Sequence, residues 1–231
     1  MPRIFISRTL KYREQFAALL DGIGHLEIQD ESLLQFNSIP FSDPGPSDWI
    51  FFTSQHAVSF YLSGRKAFHI PSYPNTRWAA LGPGTAQALR DQHFEPDFTG
   101  TGHPTATAQS FRTLASGKVV LFPAAVRSRE SIRKIIAKTA ARIIYLPVYE
   151  NSPRLDFQIL TSDLYIFTSP MNVEAFGGKY RLDKKTCIAI GESTMTALQK
   201  AGVEEAYLSP EPNEKQLAQL ARQILARTNR F

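Results

Sequence analysis

Short apolar runs alternate with stretches of helical period along the whole chain. Such runs are typical of buried strands, and helices between them favour mainly parallel sheets that are covered on both faces. The candidate strands are RIFIS from Arg3, HLEIQ from His25, WIFFT from Trp49, WAAL from Trp78, KVVLF from Lys118, RIIY from Arg142, LYIFT from Leu164, CIAI from Cys187, EAYL from Glu205 and a short edge strand near Pro96 to Phe98. The pattern predicts an α/β fold of about ten strands.

Three of the intervening stretches carry apolar residues at the 3.6-residue period of a helix. Their predicted inner faces are Phe16, Leu19, Leu20 and Ile23 in the first, Ile132, Ile135, Ile136 and Thr139 in the second, and Leu217, Leu220, Ala221, Ile224 and Leu225 in the last. Asn213 is suited to cap the last helix. Gly22, Gly64 and Gly202 are predicted to lie where helices end.

The chain also repeats itself. Residues 48–54 (DWIFFTS) match residues 163–169 (DLYIFTS), and residues 79–89 (AALGPGTAQAL) resemble residues 189–198 (AIGESTMTAL). In each copy an apolar strand end leads through a turn of small or hydroxylated residues into a helix. A tandem duplication of a βαβα unit, or a pair of similar domains, explains this order better than coincidence does.

The strand positions predict how the two domains share the chain. Five candidate strands fall between Trp49 and Tyr145, and the others lie in the first 30 residues and from Leu164 onward. We therefore predict two similar domains, each a mainly parallel sheet of roughly five strands flanked by helices, with one domain inserted into the other. The predicted segments are residues 1–34 with 152–231 for the discontinuous domain, 43–144 for the inserted domain, and 35–42 with 145–151 for linker strands. The linkers are extended and proline-punctuated, which favours a two-stranded β-ladder that lets the domains move.

The composition is that of a globular protein, with 43% apolar and 20% charged residues. No run approaches the roughly 18 apolar residues of a membrane span, and the N-terminus lacks the apolar centre of a secretory signal. We therefore expect a cytoplasmic protein without a membrane partner. The single cysteine, Cys187, lies within an apolar run and is predicted to be a buried structural thiol rather than a nucleophile.

The net charge of +5 favours an anionic partner. The basic residues are dispersed, without the runs or interleaved aromatics of nucleic-acid binders, so no nucleic-acid partner is expected. Neither a phosphate-loop motif nor a complete dinucleotide glycine fingerprint occurs, which disfavours nucleotide cofactors. Of the histidines, His25, His69, His93 and His103 lack metal-ligand spacing. His56 lies in a repeated turn, where a solvated surface residue is a simpler interpretation than a proton donor.

The repeated turns are the best candidates for chemistry. Ser54 and Ser169 each fall at a predicted helix N-cap, and a structural cap is an adequate explanation for either alone. The free N–H groups and the positive helix end at such a turn also suit an anion. The turns at residues 82–85 and 191–194 add donors at the same edge, and four such turns favour an anion-binding function. Tyr149 lies in the second crossing, where packing and ligand contact are equally consistent with its position.

Taken in order, the segments ISR, DWIFFTSQHAV, ALGPGTAQAL, LPVYEN, DLYIFTSPMNV, AIGESTMTAL and SPEPNEKQLAQL resemble the uroporphyrinogen-III synthase family of the haem pathway. The resemblance covers nearly the entire chain, and the order of the motifs makes it specific. It implies a cyclising lyase of two α/β domains joined by a β-ladder, with its substrate in the cleft and with no cofactor or metal.

The implied substrate is hydroxymethylbilane, a linear tetrapyrrole whose eight carboxylates would meet the dispersed positive charge and the helix-end donors. Loss of its hydroxyl leaves an azafulvene, which is attacked at the substituted carbon of ring D. The resulting spiro intermediate breaks and recloses with ring D inverted. The free substrate closes without inversion to the type I isomer, so the task is mainly one of positioning. The resemblance also implies a monomer and a transient handover of substrate from hydroxymethylbilane synthase.

Tyr149 matches the crossing tyrosine of the family, and the resemblance implies that it assists departure of the hydroxyl as a proton or hydrogen-bond donor. The predicted substrate-binding residues are Ser169, Thr194, Ser193, Ser54, Thr85, Gly84, Arg8 and Arg127. Two residues depart from the family pattern. His56 stands where Asn is common, and Glu192 replaces the usual Pro. Unless the Glu192 side chain points outward, it puts a carboxylate beside an anion site. A non-catalytic anion-binding or regulatory relative with the same fold is the alternative function.

Overall fold

The structure is a computed structural model that describes residues 1–10, 12–128 and 130–228. The chain divides into two compact units. Unit 1 comprises Met1–Gln35 and Ser152–Phe231, and unit 2 comprises Phe36–Asn151. No helix within the described ranges is long and apolar enough to cross a bilayer.

The strands are β1 (Arg3–Ile6), β2 (Glu27–Asp30), β3 (Leu34–Ser38), β4 (Trp49–Phe52), β5 (Arg77–Ala80), β6 (Phe98–Thr99), β7 (Val119–Ala125), β8 (Arg142–Pro153), β9 (Leu164–Phe167), β10 (Cys187–Ala189) and β11 (Ala206–Leu208). The helices are α1 (Arg13–Ala18), α2 (Gln55–Ala67), α3 (Pro83–Arg90), α4 (Pro104–Arg112), α5 (Ser131–Ile136), α6 (Pro170–Gly177), α7 (Glu192–Lys200) and α8 (Glu214–Thr228).

The sheet of unit 1 has the order β11-β10-β9-β1-β2, and all of its neighbouring strands are parallel. Strand β1, next to the central strand β9, is buried on both faces. Ile4 and Ile6 join an aliphatic cluster on one face. Phe5 packs on the other face, with its ring centroid 6.1 Å from that of Phe167 and 5.9 Å from that of Phe176. Burial on both faces explains why the strand reads as a continuous apolar run.

The second sheet has the order β3-β8-β7-β4-β5-β6, and its strands from β4 to β8 pair in parallel. Alternate residues of its central strand β4 again enter opposite clusters, Ile50 and Phe52 on one face and Trp49 and Phe51 on the other. Strands β3 and β8 are neighbours in this sheet.

Each sheet has a switch point, where the connections turn in opposite directions from two adjacent strands. It lies between β1 and β9 in one sheet and between β4 and β7 in the other. Ligands of open parallel α/β sheets bind outside the carboxyl ends of the strands at such a point. The fold therefore directs attention to the turns that follow β1, β9, β4 and β7.

The predicted α/β class with two mainly parallel sheets and flanking helices is confirmed. The second sheet has six strands rather than roughly five, because β3 forms an additional edge strand. The predicted inner face of the first helix is only partly helical, since α1 ends at Ala18 and Leu20 is buried beyond it. The capping role of Asn213 is confirmed, because its Oδ1 accepts a hydrogen bond from the Gln216 N–H at 2.9 Å.

Gly64 does not end a helix, so that prediction was wrong. It lies inside α2, which continues to Ala67. A Cβ at this position would lie 2.8 Å from Cζ of Phe41, whose ring stacks on Tyr61. The glycine leaves room for an aromatic ring that packs directly against the helix backbone. Gly202, by contrast, follows the end of α7 with φ +79°, as a helix-terminating glycine does.

Candidate active site

Equivalent serines cap the helices after β4 and β9. Ser54 has an extended backbone (φ −156°, ψ 157°), and its Oγ accepts a hydrogen bond from the Ala57 N–H at 3.1 Å. Ser169 has nearly the same conformation (φ −161°, ψ 155°), and its Oγ accepts from the Asn172 N–H at 3.2 Å. Both serines therefore cap a helix whose N-terminus lies at the carboxyl edge of a parallel sheet. The helix dipole favours an anion at this position.

A β-bulge brings Tyr149 to the first of these turns. Along β7 and β8 the register runs Ala124↔Pro147 and then Ala125↔Tyr149, so Val148 is an extra residue. Val148 and Tyr149 consequently pack into the same core cluster, although consecutive strand residues normally point to opposite faces. The bulge thus directs the Tyr149 side chain toward α2.

The Tyr149 hydroxyl lies 3.3 Å from the Ser54 Oγ, and either atom can be the donor. The side chain is 6% exposed, and its ring stacks on Phe60 with centroids 5.1 Å apart. Burial raises the pKa of Tyr149 above its ordinary value, and the hydrogen bond with Ser54 offsets part of that rise. The phenol is therefore protonated at neutral pH and can act as a donor.

His56 lies in the first turn of α2 and is exposed. Its ring stacks on Phe36 with the centroids 4.0 Å apart. The prediction of a solvated first-turn residue is confirmed, and the aromatic contact gives this histidine a packing role beside Tyr149, whose ring centroid is 6.1 Å away.

The turn after β5 lies beside the α2 turn. A Cβ on Gly84 would lie 2.9 Å from the Nε2 of Gln55, so the first turns of α2 and α3 are adjacent. A Cβ on Gly82 would lie 2.7 Å from the Cα of Gly102, which shows a close backbone approach to the next loop. Thr85, one residue further into α3, is buried. The accessible donors of this turn are therefore backbone N–H groups.

Two predicted arginines follow strands at the switch points. Arg127 is exposed just beyond β7. Arg8 is half-buried just beyond β1, where it forms an ion pair with Glu214 at 3.5 Å. Both side chains still reach solvent, and a solvent-accessible ion pair contributes little to stability, so the guanidinium of Arg8 can exchange its partner at low cost.

In unit 1, Ser7 and Thr168 tie the switch-point strands together. Ser7 is fully buried, its Oγ accepts from the Thr168 N–H at 2.9 Å, and the Thr168 Oγ1 donates to the Ser7 carbonyl at 3.0 Å. Asn172 extends the network, because its Nδ2 donates to Ser169 Oγ at 2.9 Å and its Oδ1 accepts from the Leu33 N–H at 3.0 Å. The turn that presents Ser169 is thus fixed from two sides.

The α7 turn completes the predicted set in unit 1. Thr194 is only 1% exposed, and its N–H bonds the Gly191 carbonyl at 2.9 Å. Ser193 is half-buried and Glu192 is exposed at the helix start. The structure therefore gathers Arg8, Ser169, Ser193 and Thr194 along one edge of unit 1.

Along the corresponding edge of unit 2 lie Ser54, Gly84, Thr85, Arg127 and Tyr149. Sequence reasoning missed Ser7, Asn172 and Gln55. Ser7 had a usable signal, since a hydroxylated residue directly after an apolar strand also marks the Thr53-Ser54 and Thr168-Ser169 turns.

Among the residues that the structure describes, no group of three or more His, Cys, Asp and Glu side chains is arranged to hold a metal ion. Cys187 is buried in β10, and burial raises its pKa to about 12. The prediction of a buried structural thiol is confirmed.

The architecture and the turns define a class: a two-unit parallel α/β protein with a helix-capped, anion-suited turn at the switch point of each sheet. A family model described as uroporphyrinogen-III synthase HemD matches residues 26–219. The chain belongs to the uroporphyrinogen-III synthase family. The resemblance seen in the sequence is confirmed, as is the function that it implies, a cyclising lyase acting on a small-molecule tetrapyrrole in tetrapyrrole biosynthesis.

Solved structures are similar over the whole chain. Uroporphyrinogen-III synthetase from Helicobacter pylori 26695 is 23% identical, with 97% of this chain and 100% of that chain covered and a TM-score of 0.69. A mutant uroporphyrinogen III synthase from the extremely thermophilic bacterium Thermus thermophilus is 19% identical, with 99% and 100% covered and a TM-score of 0.62. At these identities the likeness shows the fold. No curated protein matches the chain significantly.

Proposed function

We propose that Tyr149 is the residue that drives loss of the hydroxyl group from hydroxymethylbilane. The observation that carries this assignment is the buried Tyr149 phenol, 3.3 Å from the N-cap hydroxyl of Ser54, beside the switch point of the unit 2 sheet. Its raised pKa keeps the proton on the phenol until a leaving group requires it.

The hydrogen-bond pattern around Ser54 supports this role. Its Oγ accepts the Ala57 N–H and still has a proton of its own to donate to the Tyr149 oxygen. With that donation in place, the Tyr149 O–H points its hydrogen away from Ser54 and toward a ligand. Donation from Ser54 also stabilises the phenolate that forms as the proton leaves.

In the proposed reaction, Tyr149 first donates a proton and later recovers it. The C–O bond of the hydroxymethyl group breaks, the departing hydroxyl takes the Tyr149 proton and leaves as water, and the azafulvene carries the remaining positive charge. Ring D attacks through its substituted carbon, and the spiro intermediate fragments and recloses with ring D inverted. The phenolate regains a proton when the new macrocycle loses one to restore its pyrrole rings.

We further propose that the helix-start turns hold the substrate carboxylates. In unit 1 the contacts come from Ser169, Arg8 and the α7 turn at Ser193 and Thr194. In unit 2 they come from the backbone N–H groups of the helix start that follows Ser54, from Arg127 and from the α3 turn at Gly84 and Thr85. Both threonines are buried, and the Thr194 N–H is engaged by the Gly191 carbonyl, so other backbone N–H groups of these two helix starts carry the α3 and α7 contributions.

We also propose that the protein acts as a cytoplasmic monomer, with residues 1–34 and 152–231 as one domain, 43–144 as the other and 35–42 with 145–151 as linkers. Its substrate arrives by transient handover from hydroxymethylbilane synthase. The net charge of +5 supports capture of this substrate, since a positive protein attracts an octacarboxylate. Light scattering coupled to gel filtration measures the oligomeric state, and a stable dimer contradicts the proposal.

The test of Tyr149 is the isomer composition of the product. Wild-type protein and Tyr149→Phe receive hydroxymethylbilane generated enzymatically in the same vessel, and the porphyrins are separated after oxidation. We expect kcat of the variant to fall by about 100-fold, with KM little changed, because general acid catalysis contributes about 10² to 10⁴. The type I isomer then accumulates from uncatalysed closure.

The matched control is Tyr207→Phe. This variant removes the hydroxyl of a tyrosine on edge strand β11, which hydrogen-bonds Glu205, and it should leave the isomer ratio unchanged. Full conversion to type III by Tyr149→Phe would contradict the role of the phenol. Type I product alone from the wild-type protein would instead support the non-catalytic anion-binding alternative.

A further inference from the structure

A cavity lies at the amino ends of the unit 2 strands, whereas Ser54 lies at their carboxyl ends. Its volume is about 140 Å³. Ile50 and Trp78, the second residues of β4 and β5, form part of its wall, so it adjoins the amino ends of the strands. The four residue steps from Ile50 to Ser54 span roughly 13 Å in an extended chain. The cavity is therefore separate from the candidate active site.

Arg65 supplies a buried positive charge to this cavity. The residue is 9% exposed, and its Nη2 donates to the Pro71 carbonyl at 3.0 Å and to the Ser72 Oγ at 2.6 Å. Its Nε is buried and has no hydrogen-bond partner. No carboxylate in residues 1–10, 12–128 and 130–228 forms an ion pair with it. A buried charge without a counter-charge is costly, so the site is primed to accept an anion.

Arg133 shows what distinguishes Arg65. The Nε of Arg133 is also buried without a partner. Its guanidinium, however, lies 3.9 Å from the centre of the Tyr145 ring and 3.9 Å from the carboxylate of Glu130, whereas the nearest ring centre to Arg65, that of Tyr61, is 5.8 Å away. Arg133 does not line the cavity. Both arginines therefore have an unpaired Nε. Of the two, Arg65 lines the cavity and has no carboxylate partner.

We propose that the Arg65 cavity binds a small carboxylate that carries a planar ring. The Arg65 guanidinium lines the cavity and pairs with one carboxylate oxygen. The Ser72 hydroxyl, which already accepts from Nη2, uses its own proton to bond the other. Tyr61, Trp78 and Phe94 supply apolar walls for the ring. A cavity of about 150 Å³ is large enough for benzene, so the volume suits a single ring.

The walls favour an organic carboxylate over inorganic phosphate. Phosphate is strongly hydrated and needs donors on every side, whereas the cavity offers donors near Arg65 and Ser72 and aromatic surface elsewhere. A ring carboxylate satisfies both parts of the wall, since its charged end meets the guanidinium and its apolar end displaces water from the aromatic surface.

The probe is benzoate, added to the full-length protein labelled with ¹⁵N. The Arg65 Nε–H resonance, assigned by its loss in Arg65→Lys, reports binding because a carboxylate beside the guanidinium changes its electronic environment. We expect a saturable shift with benzoate and at least tenfold weaker binding of benzyl alcohol, acetate and inorganic phosphate. The Arg133 Nε–H resonance is the internal control and should not move.

The variant Ser72→Ala keeps Arg65. Ser72 lies on an exposed loop, so we expect the variant protein to fold. It should weaken benzoate binding at least about fivefold by removing a hydrogen bond to a charged group. Absence of a saturable benzoate shift, or unchanged affinity in Ser72→Ala, overturns the proposal. Equal binding of acetate or phosphate also overturns it, because the cavity is then a site for simple anions. These outcomes are independent of the role of Tyr149, which is tested by product isomers.

Discussion

Replacing Asn172 by alanine tests whether the network around Ser169 stabilises unit 1. The amide of Asn172 is buried and joins two groups, the Leu33 N–H at 3.0 Å and the Ser169 Oγ at 2.9 Å. Leu33 is itself fully buried. Alanine at position 172 would therefore leave the Leu33 N–H without its acceptor and without access to water.

The magnitude follows from three contributions. An unsatisfied buried N–H at Leu33 costs about 1 to 3 kcal/mol. Loss of the hydrogen bond to Ser169 costs about 0.5 to 1.5 kcal/mol, and the higher helix propensity of alanine returns up to about 0.7 kcal/mol. We expect Asn172→Ala to lower the free energy of unfolding of unit 1 by about 2 kcal/mol.

Urea unfolding followed by far-ultraviolet circular dichroism gives the total change in stability. Both tryptophans, Trp49 and Trp78, lie in unit 2, so tryptophan fluorescence follows that unit separately. Hydrogen exchange at the Leu33 amide gives the local effect, and its protection should fall in the variant. Asn75→Ala, at an exposed position in unit 2, is the control and should change stability by less than about 0.5 kcal/mol.

The opposite outcome is that Asn172→Ala unfolds within about 0.5 kcal/mol of the wild type while the Leu33 amide stays protected. That result would mean that Leu33 finds another acceptor, and that the Asn172 amide does not fix the turn.

Three further predictions concern other parts of the chain. Cys187, whose pKa burial raises to about 12, should react with a thiol reagent at pH 8 only after unfolding, and rapid labelling of the native protein would contradict its burial. Gly64→Ala should destabilise unit 2, because overpacking against Phe41 costs about 1 to 3 kcal/mol and helix propensity returns about 1 kcal/mol. Phe41→Leu should recover part of that loss in the double variant, whereas a more stable Gly64→Ala would refute the clash. Because the pKa of Tyr149 is raised and its protonated form is the active one, kcat should not fall through phenol ionisation until the pH exceeds about 10; a fall at lower pH that disappears in Tyr149→Phe would oppose the assignment.

Much of the fold was predictable because its signals are local. Central parallel strands are buried on both faces, so β1, β4 and β9 read as continuous apolar runs. The serine caps were predictable for the same reason, since Ser54 and Ser169 bond N–H groups only three residues further along the chain. The repetition of these turns then revealed the related architecture of the two units.

The unpredicted features depend on partners that are distant in sequence. The bulge at Val148 appears only when β7 and β8 pair, and without it the direction of Tyr149 does not follow from strand alternation. Asn172 bonds Leu33, a residue 139 positions away. The prediction for Gly64 was wrong because the ring that occupies the space beside it comes from Phe41, which lies outside the helix. The residues around Gly64 in the sequence therefore do not reveal this contact.

The amide of Asn172 also sets the hydrogen-bonding polarity of Ser169. A serine hydroxyl has two lone pairs and one proton, and here the Asn172 N–H and Nδ2–H both donate to the Oγ. With both lone pairs engaged, the hydroxyl can only donate. Ser169 therefore presents a hydrogen atom to any ligand and discriminates in favour of acceptors without carrying a charge. Ser54 accepts one such helix N–H and can still reverse its role, so the duplicated serines are no longer chemically interchangeable.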